Sequence, residues 1–546
     1  MSEEAEYTQP TWKEWAALTV LSLGLGVIVL DGTIVGVALP SIISDLGMNL
    51  SDAQWVSSLY AVVLAALLLP TGSIADRLGR RKLFATGLVI FVLASVLAAL
   101  ATSAGHLISS RALQALGAAM IMPSTLSTVN VLFRGKARAA AFGVWGAVIS
   151  GAAAVGPLAG GALTQWASWR WIFLVNLPIG AALLIATFFV IPETRGQGRP
   201  PGADAVGVVL NGLGFGSLVF AIIEGPATGW WAPTADMTLF GFTWPTTAPV
   251  SVVPVALVFA ATLLTCFLFW ENHRAKQGRS TVLDLTLFRL PTFAWGNVTA
   301  AMVAIGEFAI LFVLPLFLIN ALGLEVMATG LILAAMALGA FFSGASARHL
   351  AARLGAPGVV VLGLMLEVIG VIFLAAILSP TGAGWMVAVP LVLYGLGLGL
   401  ASAQLTGTVL RDVPVSQSGQ ASATQSTVRQ VGSAMGTAFA GAVLAMTLKV
   451  SVPSAVEAVG ITGEEARQLA KETASSAGTN IANMRAQASG SGSESVLEAA
   501  QALTAGFADA TRWALLAGTL FLLLGLVGAY RLRAATRNQD LDETRA

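Results

Sequence analysis

Long apolar stretches recur along the chain from Trp15 to Leu532, separated by short connections rich in charge, glycine or proline. Most run about 18 to 25 residues or longer, enough for a helix to cross a hydrocarbon layer roughly 30 Å thick. Spans one to fourteen are predicted over 15–43, 53–72, 83–103, 106–132, 138–164, 170–192, 205–224, 250–270, 293–320, 326–347, 357–379, 384–410, 416–448 and 513–532. The first follows the acidic "MSEEAEYTQP" and continues for a full span, so it reads as span one and not as a cleavable signal.

Composition agrees with this pattern. The chain has 546 residues, of which 56% are hydrophobic and 10% charged, and a mean hydropathy of +0.81. That leaves too little polar material to cover a soluble globule of this size. An all-α polytopic membrane protein follows. A net charge of +1 says little, beyond arguing against a nucleic-acid partner. The lone Cys266 excludes an intramolecular disulfide, and its place in an apolar run reads as buried.

Orientation comes from the basic residues. With the N-terminus in the cytoplasm, the cytoplasmic side collects Arg77, Arg80, Arg81, Lys82, Arg134, Lys136, Arg138, Arg274, Lys276, Arg531 and Arg533. Only Arg170, Lys449, Arg467, Lys471, Arg485 and Arg512 fall outside, and all but Arg170 lie in the long segment 449–512, where the positive-inside rule is weak. Both termini are expected in the cytoplasm, in a cell (inner or plasma) membrane.

The chain repeats itself. "ADRLG" (Ala75 to Gly79), after span two, is echoed by "AARLG" (Ala351 to Gly355), after span ten. Two parallel halves enclosing a midplane site are implied. The expected organisation is a cytoplasmic N-terminus 1–14, a six-helix half 15–200, an inserted helix pair 201–275, a second half 276–532 and a tail 533–546. The outer loop of the inserted pair is rich in Trp and Pro, as at a membrane interface. Within 449–512, "GEEARQLAKETA" reads as helix-forming, "ASGSGSES" as flexible and "VLEAAQALTAGFADA" as amphipathic. This segment is expected either to cap the outer mouth or to act as a tether.

Four motifs carry a family resemblance. They are "LDGTIVGVALP" (Leu30 to Pro40), "GSIADRLGRRK" (Gly72 to Lys82), "LISSRALQALGAA" (Leu107 to Ala119), and Gly143 with "AAAVGPLAGG" (Ala152 to Gly161). Together they resemble the 14-span drug:proton antiporter family of the major facilitator superfamily over essentially the whole chain. Three positions depart from its usual residues: Gly36 replaces Asn, Ala115 replaces Gly and Ala152 replaces Gly. The resemblance implies two pseudo-symmetric six-helix halves plus two extra helices, working as a monomer. It assigns Gly72, Asp76, Arg77, Gly79, Arg80 and Arg81 to a cytoplasmic gating loop, in which Asp76 meets the positive N-terminal end of span thirteen near Pro414 to Ser418. Such a charge–dipole contact is worth about 0.3–2 kcal/mol. Gly156, Pro157, Gly160 and Gly161 correspond to an antiporter motif. Physically, the proline removes a helix hydrogen bond and the glycines admit a neighbouring backbone.

Ionisable groups inside spans are costly unless paired or protonated. At 1.5 Å per residue, Asp31 lies about 24 Å from the cytoplasmic start of span one, Glu307 about 21 Å along span nine, and Arg111 about 8 Å from the outer end of span four. An Asp31–Arg111 pair is geometrically allowed. By resemblance, spans one, four, nine and twelve line a central cavity, which puts Asp31, Arg111 and Glu307 on its wall. Glu367, on span eleven, is then peripheral, and Arg429 borders the inner gate. The glycines of "YGLGLGLA" around Gly397 read as helix packing, since no strand or acidic partner frames a dinucleotide site.

The expected function is proton-coupled export, by alternating access, of hydrophobic or cationic small molecules such as drugs or antibiotics. A buried acid binds substrate when ionised and releases it when protonated. One proton falling through about 100 mV and one pH unit releases roughly 3.7 kcal/mol, enough for a gradient of about 500-fold in a neutral substrate. For a monovalent cation exchanged one for one, only about tenfold remains. Two cavity acids permit a second proton. Export of a lipid or natural product is the main rival; an uptake symporter or a channel fits less well. No enzyme, cofactor or metal is expected, because His106, His273, His349 and Cys266 are scattered.

Overall fold

A computed structural model describes residues 10–133, 135–195, 204–239, 241–414, 417–491 and 493–543. It contains 14 helices long and apolar enough to cross a membrane. Spans one to five are Trp12–Leu46, Leu50–Leu78, Arg80–Ala99, Ala104–Leu132 and Gly135–Trp166. Span six starts as Trp171–Leu174 and continues as Asn176–Val190; the inserted spans seven and eight are Ala205–Thr228 and Val252–Lys276. Span nine is Pro291–Leu316 followed by a π turn at Phe317–Ala321, and spans ten and eleven are Val326–Leu354 and Ala356–Ile377. Span twelve is Ala388–Val409 behind a 3-10 turn at Gly384–Val387; spans thirteen and fourteen are Ser418–Glu457 and Glu494–Glu543. Helices dominate because a chain in lipid must satisfy its own backbone polar groups.

Local chemistry sets the ends. Span two opens with a capping box in which Asn49 Oδ1 accepts from Asp52 N at 2.8 Å and Asp52 Oδ2 accepts from Asn49 N at 3.1 Å. Span one stops at Gly47, whose φ of 59° suits a residue without Cβ. Spans nine and eleven carry proline in their first turn, where a missing N–H costs nothing.

The packing repeats with an offset of eight spans. Span two packs on four, three on four and six, and one on four, five and six. In the second half ten packs on twelve, eleven on twelve and fourteen, and nine on twelve, thirteen and fourteen. The halves meet reciprocally, two against thirteen and five against ten. The inserted pair packs on itself and rests on spans two and thirteen.

The glycines of "YGLGLGLA" make this packing possible. A Cβ at Gly397 would meet the backbone of Gly363 and Glu367, and one at Gly399 would overlap Ala340 and Ser343. Spans ten, eleven and twelve touch through this seam.

Two sequence expectations change. Cys266 is exposed on the outer wall of span eight, because the inserted pair presents most of its surface to lipid. The "ASGSGSES" stretch is largely helical: Thr479–Ser491 runs into it and span fourteen resumes at Glu494. Burial of Ala488 in tertiary packing overrides the flexible composition. Finally, the outer segment is helical and packed against the spans. Spans thirteen and fourteen extend beyond the predicted membrane limits and carry two further helices, Gly463–Ser475 and Thr479–Ser491. Asn320 Nδ2, in the π turn of span nine, donates to Ala477 O at 2.9 Å, and Arg485 Nη2 donates to Thr504 Oγ1 at 2.6 Å.

Candidate functional site

Asp31 and Arg111 form a direct ion pair. Their side chains are sealed, at 0% and 2% exposed, inside the first half and not on an open cavity wall. Asp31 Oδ1 also accepts from Gln114 Nε2 at 3.0 Å and Asn176 Nδ2 at 3.3 Å. Ser95 Oγ receives the same two amides at 2.8 and 3.2 Å. Arg111 donates to Gln114 Oε1 at 2.8 Å and stacks 4.1 Å above the Tyr60 ring. One acid thus ties span one to spans two, three, four and six. The donors around the carboxylate offset part of the penalty of a buried charge, although Arg111 Nε is buried without an acceptor. Sequence reasoning missed Gln114, Asn176, Ser95 and Tyr60. Gln114 sits one helical turn from Arg111, which is a readable signal; Asn176 comes from the distant end of span six, and nothing local announces it.

Two residues further along span one, the antiporter-motif face of span five is seated. A Cβ at Gly156 would overlap Thr33, and one at Gly160 would lie 2.9 Å from Ile34 O. The next turn of span five meets the second half. A Cβ at Gly161 would be 3.0 Å from Met327 Cα, and one at Gly330 would be 2.5 Å from Pro157 O. Gln165 clasps the same place, donating to Glu325 Oε2 at 2.8 Å and accepting from Met327 N at 2.8 Å. Span five therefore links the Asp31 neighbourhood to the outer end of span ten.

Glu307 and Arg429 form the second charged pair. Glu307 Oε2 and Arg429 Nη2 are 3.8 Å apart, with side-chain exposures of 16% and 45%. A half-exposed guanidinium within a span is costly unless water or a counter-charge meets it, and Glu307 supplies that counter-charge. Sequence reasoning placed Arg429 at the inner gate; the structure brings it to Glu307, about 16 Å into span thirteen from Ser418. Glu367 lies in the same half, fully buried.

The cytoplasmic loop is stitched to the end of span six. Gly79, at a φ of 118°, closes span two and leaves the room that the Glu193 carboxylate occupies. Glu193 Oε1 accepts from Arg81 N at 3.1 Å, and Thr194 O from Arg80 N at 3.0 Å. Asp76 is buried and accepts from Arg80 Nε and Nη2 at 3.0 and 2.9 Å, while Arg77 points outward. A Cβ at Gly72 would be 3.4 Å from Pro123, so spans two and four run close there. The expected contact of Asp76 with Pro414 to Ser418 falls partly on Val415 and Ser416, which lie outside the described residues. Among the described residues no cluster of three or more metal-binding side chains occurs.

Comparison with known proteins adds an independent line. The sequence signature of the Major Facilitator Superfamily matches residues 21–437. The chain is 30% identical to the methylenomycin A resistance protein of Bacillus subtilis, over 79% of this chain and 87% of that one. It is 31% identical to the multidrug resistance protein Stp of Mycobacterium tuberculosis, over 81% of this chain and 78% of that one. In architecture it resembles an inward-facing, unoccupied bacterial homologue of the human lysosomal transporter Spinster, with a TM-score of 0.61, 18% identity and coverage of 96% and 99% of the two chains.

Proposed function

The chain belongs to the Major Facilitator Superfamily, and from that premise we propose that it is a proton-driven exporter of hydrophobic and cationic small molecules. The observation that carries this reading is the seating of the span-five glycine–proline face on span one, beside the Asp31–Arg111 pair. An acid with a single cation and two amide neighbours is a switch. Protonation removes the charge that holds Arg111, frees span one to shift, and passes that shift through Thr33 and Ile34 to span five. Span five in turn releases or grips the outer end of span ten. Proton uptake from outside is thereby linked to opening and closing of the outer mouth.

Glu307 supplies the charge for cationic substrates, with Arg429 as the group a cation displaces. Asp76 acts as the cytoplasmic latch through its hold on Arg80. The resistance proteins among the relatives favour antibiotics and related toxic compounds as cargo. The protein works as a monomer in the cell membrane with both termini in the cytoplasm, and export of an endogenous lipid or natural product is the second reading.

Energy coupling tests the proposal. Purified protein in liposomes should accumulate ethidium against its gradient only while a proton gradient is imposed, and a protonophore should collapse the gradient to within about twofold of equilibrium. Uphill movement sustained by ATP alone would refute it. A second expectation concerns Glu307→Gln, which should weaken cationic substrates by about 1–3 kcal/mol through loss of a charge-assisted contact. Neutral substrates should be spared. Equal losses for ethidium and a neutral antibiotic would show that Glu307 does not read substrate charge.

A further inference from the structure

Outside the Asp31 network two acids among the described residues are completely sealed, Glu271 and Glu367, and Glu271 has a donor in Leu283 N. Glu367 is 0% exposed, and neither carboxylate oxygen has a hydrogen-bond partner. The Tyr394 hydroxyl on the facing span twelve is likewise buried and unpartnered. Gly397 makes room for the acid: a Cβ there would lie 2.9 Å from Glu367 Cγ. The charged groups around it are few. Glu307 on span nine and Arg429 on span thirteen are within electrostatic reach. Span fourteen brings cations only to the ends of span eleven, where Arg512 donates to Ala375 O and Leu378 O at 3.1 and 2.9 Å and Arg533 lies 4.0 Å from where a Gly358 Cβ would be.

An ionised carboxylate without a donor is among the costliest groups a membrane interior can hold. Such a site holds a neutral acid far more cheaply than an ionised one. If packing were its only task, a leucine would fill the site with no such penalty. By helical rise, Glu367 and Arg429 both lie about 16 Å from the cytoplasmic starts of their spans, and Glu307 about 24 Å from that of span nine. Arg429, 3.8 Å from Glu307, is the cation among the described residues within electrostatic reach of Glu367 when it ionises.

We propose that Glu367 is a second proton-carrying acid, loaded past Glu307 and Tyr394 and emptied toward the cytoplasm, which makes export of a monovalent cation electrogenic. The proposal rests on the proton-driven export argued above. When the outer side is open, one proton binds Asp31 and one forms an O–H bond on Glu367, and the cation leaves. When the inner side is open, the Asp31 O–H bond breaks as the Arg111 pair re-forms, the Glu367 O–H bond breaks after it, and both protons pass to cytoplasmic water. One cation goes out, two protons come in, and one positive charge moves inward per cycle.

The test uses the full-length protein in liposomes with ethidium as probe and with the pH gradient and the membrane potential set separately. For the wild type, imposing a potential at a fixed pH gradient should raise the ethidium gradient roughly tenfold or more. Glu367→Gln should still respond to the pH gradient, yet change less than about twofold with potential, as expected for electroneutral one-for-one exchange. Glu367→Asp keeps the acid and should keep the potential response; Glu367→Met serves if the amide is not tolerated, with ethidium binding as the check on folding. A Glu367→Gln or Glu367→Met protein that responds to potential as the wild type does overturns the proposal, as does a wild type that is proton-driven but insensitive to potential. A wild type that moves ethidium without any proton drive defeats the exporter reading itself.

Discussion

Asp31→Asn abolishes uphill export of every substrate: that is the result expected from a residue that can no longer alternate between charged and neutral forms. The variant also leaves Arg111 buried without its counter-charge, a defect that costs about 3–5 kcal/mol when one partner of a buried pair is removed. Loss of transport by Asp31→Asn alone therefore mixes coupling with stability. The double variant Asp31→Asn/Arg111→Gln separates them, because it removes both charges and retains amides that can bond to Gln114 and Asn176. Thermal unfolding should show the double variant more stable than Asp31→Asn. Ethidium accumulation should be absent in both, while exchange between equal pools can persist. If the double variant pumps uphill, the pair is only a structural anchor of the first half.

Gly330→Leu should be the second severe change. A Cβ at this position already falls 2.5 Å from Pro157 O, so a full side chain cannot fit without driving spans five and ten apart. The outer clasp of Gln165 with Glu325 and Met327 would open. Transport should fall by at least about a hundredfold, the scale expected when a packed interface must accommodate several kcal/mol of overlap. The protein should remain inserted, since each span keeps its hydrophobic length. A cysteine introduced as Gly36→Cys in a Cys266→Ser background reports the state, because position 36 faces Leu311 O at the interface of spans one and nine. A membrane-impermeant maleimide should label it much faster in the Gly330→Leu protein. Unchanged labelling with normal transport would show that the seam yields elsewhere.

Much of this could be read from the sequence, for reasons that differ from element to element. The spans were legible because lipid imposes a minimum apolar length, and the structural helices fall on the predicted stretches. The depth of Asp31 and Arg111 was legible because helical rise converts position into distance. Their enclosure was not, since it depends on Asn176 and Tyr60 from elements whose placement no local pattern encodes. Glu307 and Arg429 were each conspicuous as charges in apolar runs, yet they lie far apart in the chain, and only the packing of span nine on span thirteen joins them. The outer helices were misjudged at "ASGSGSES" because composition reports the preference of an isolated segment, whereas Ala488 is held by its surroundings.

Spans thirteen and fourteen are unusually long rods, at 40 and 50 residues, or about 60 and 75 Å by helical rise against a hydrocarbon layer of roughly 30 Å. Each continues without a break from the bilayer to the outer helices. Rods of that kind behave as lever arms whose pivot lies in the membrane. A tilt that shifts Arg429 by a fraction of a side chain near the pivot is magnified at the far tips, where Gly463–Ser475 and Thr479–Ser491 ride. If the two rods tilt as rigid bodies, the outer helices should travel farther than the groups near the pivot. A fluorophore on those tips should then register the stroke with the largest signal.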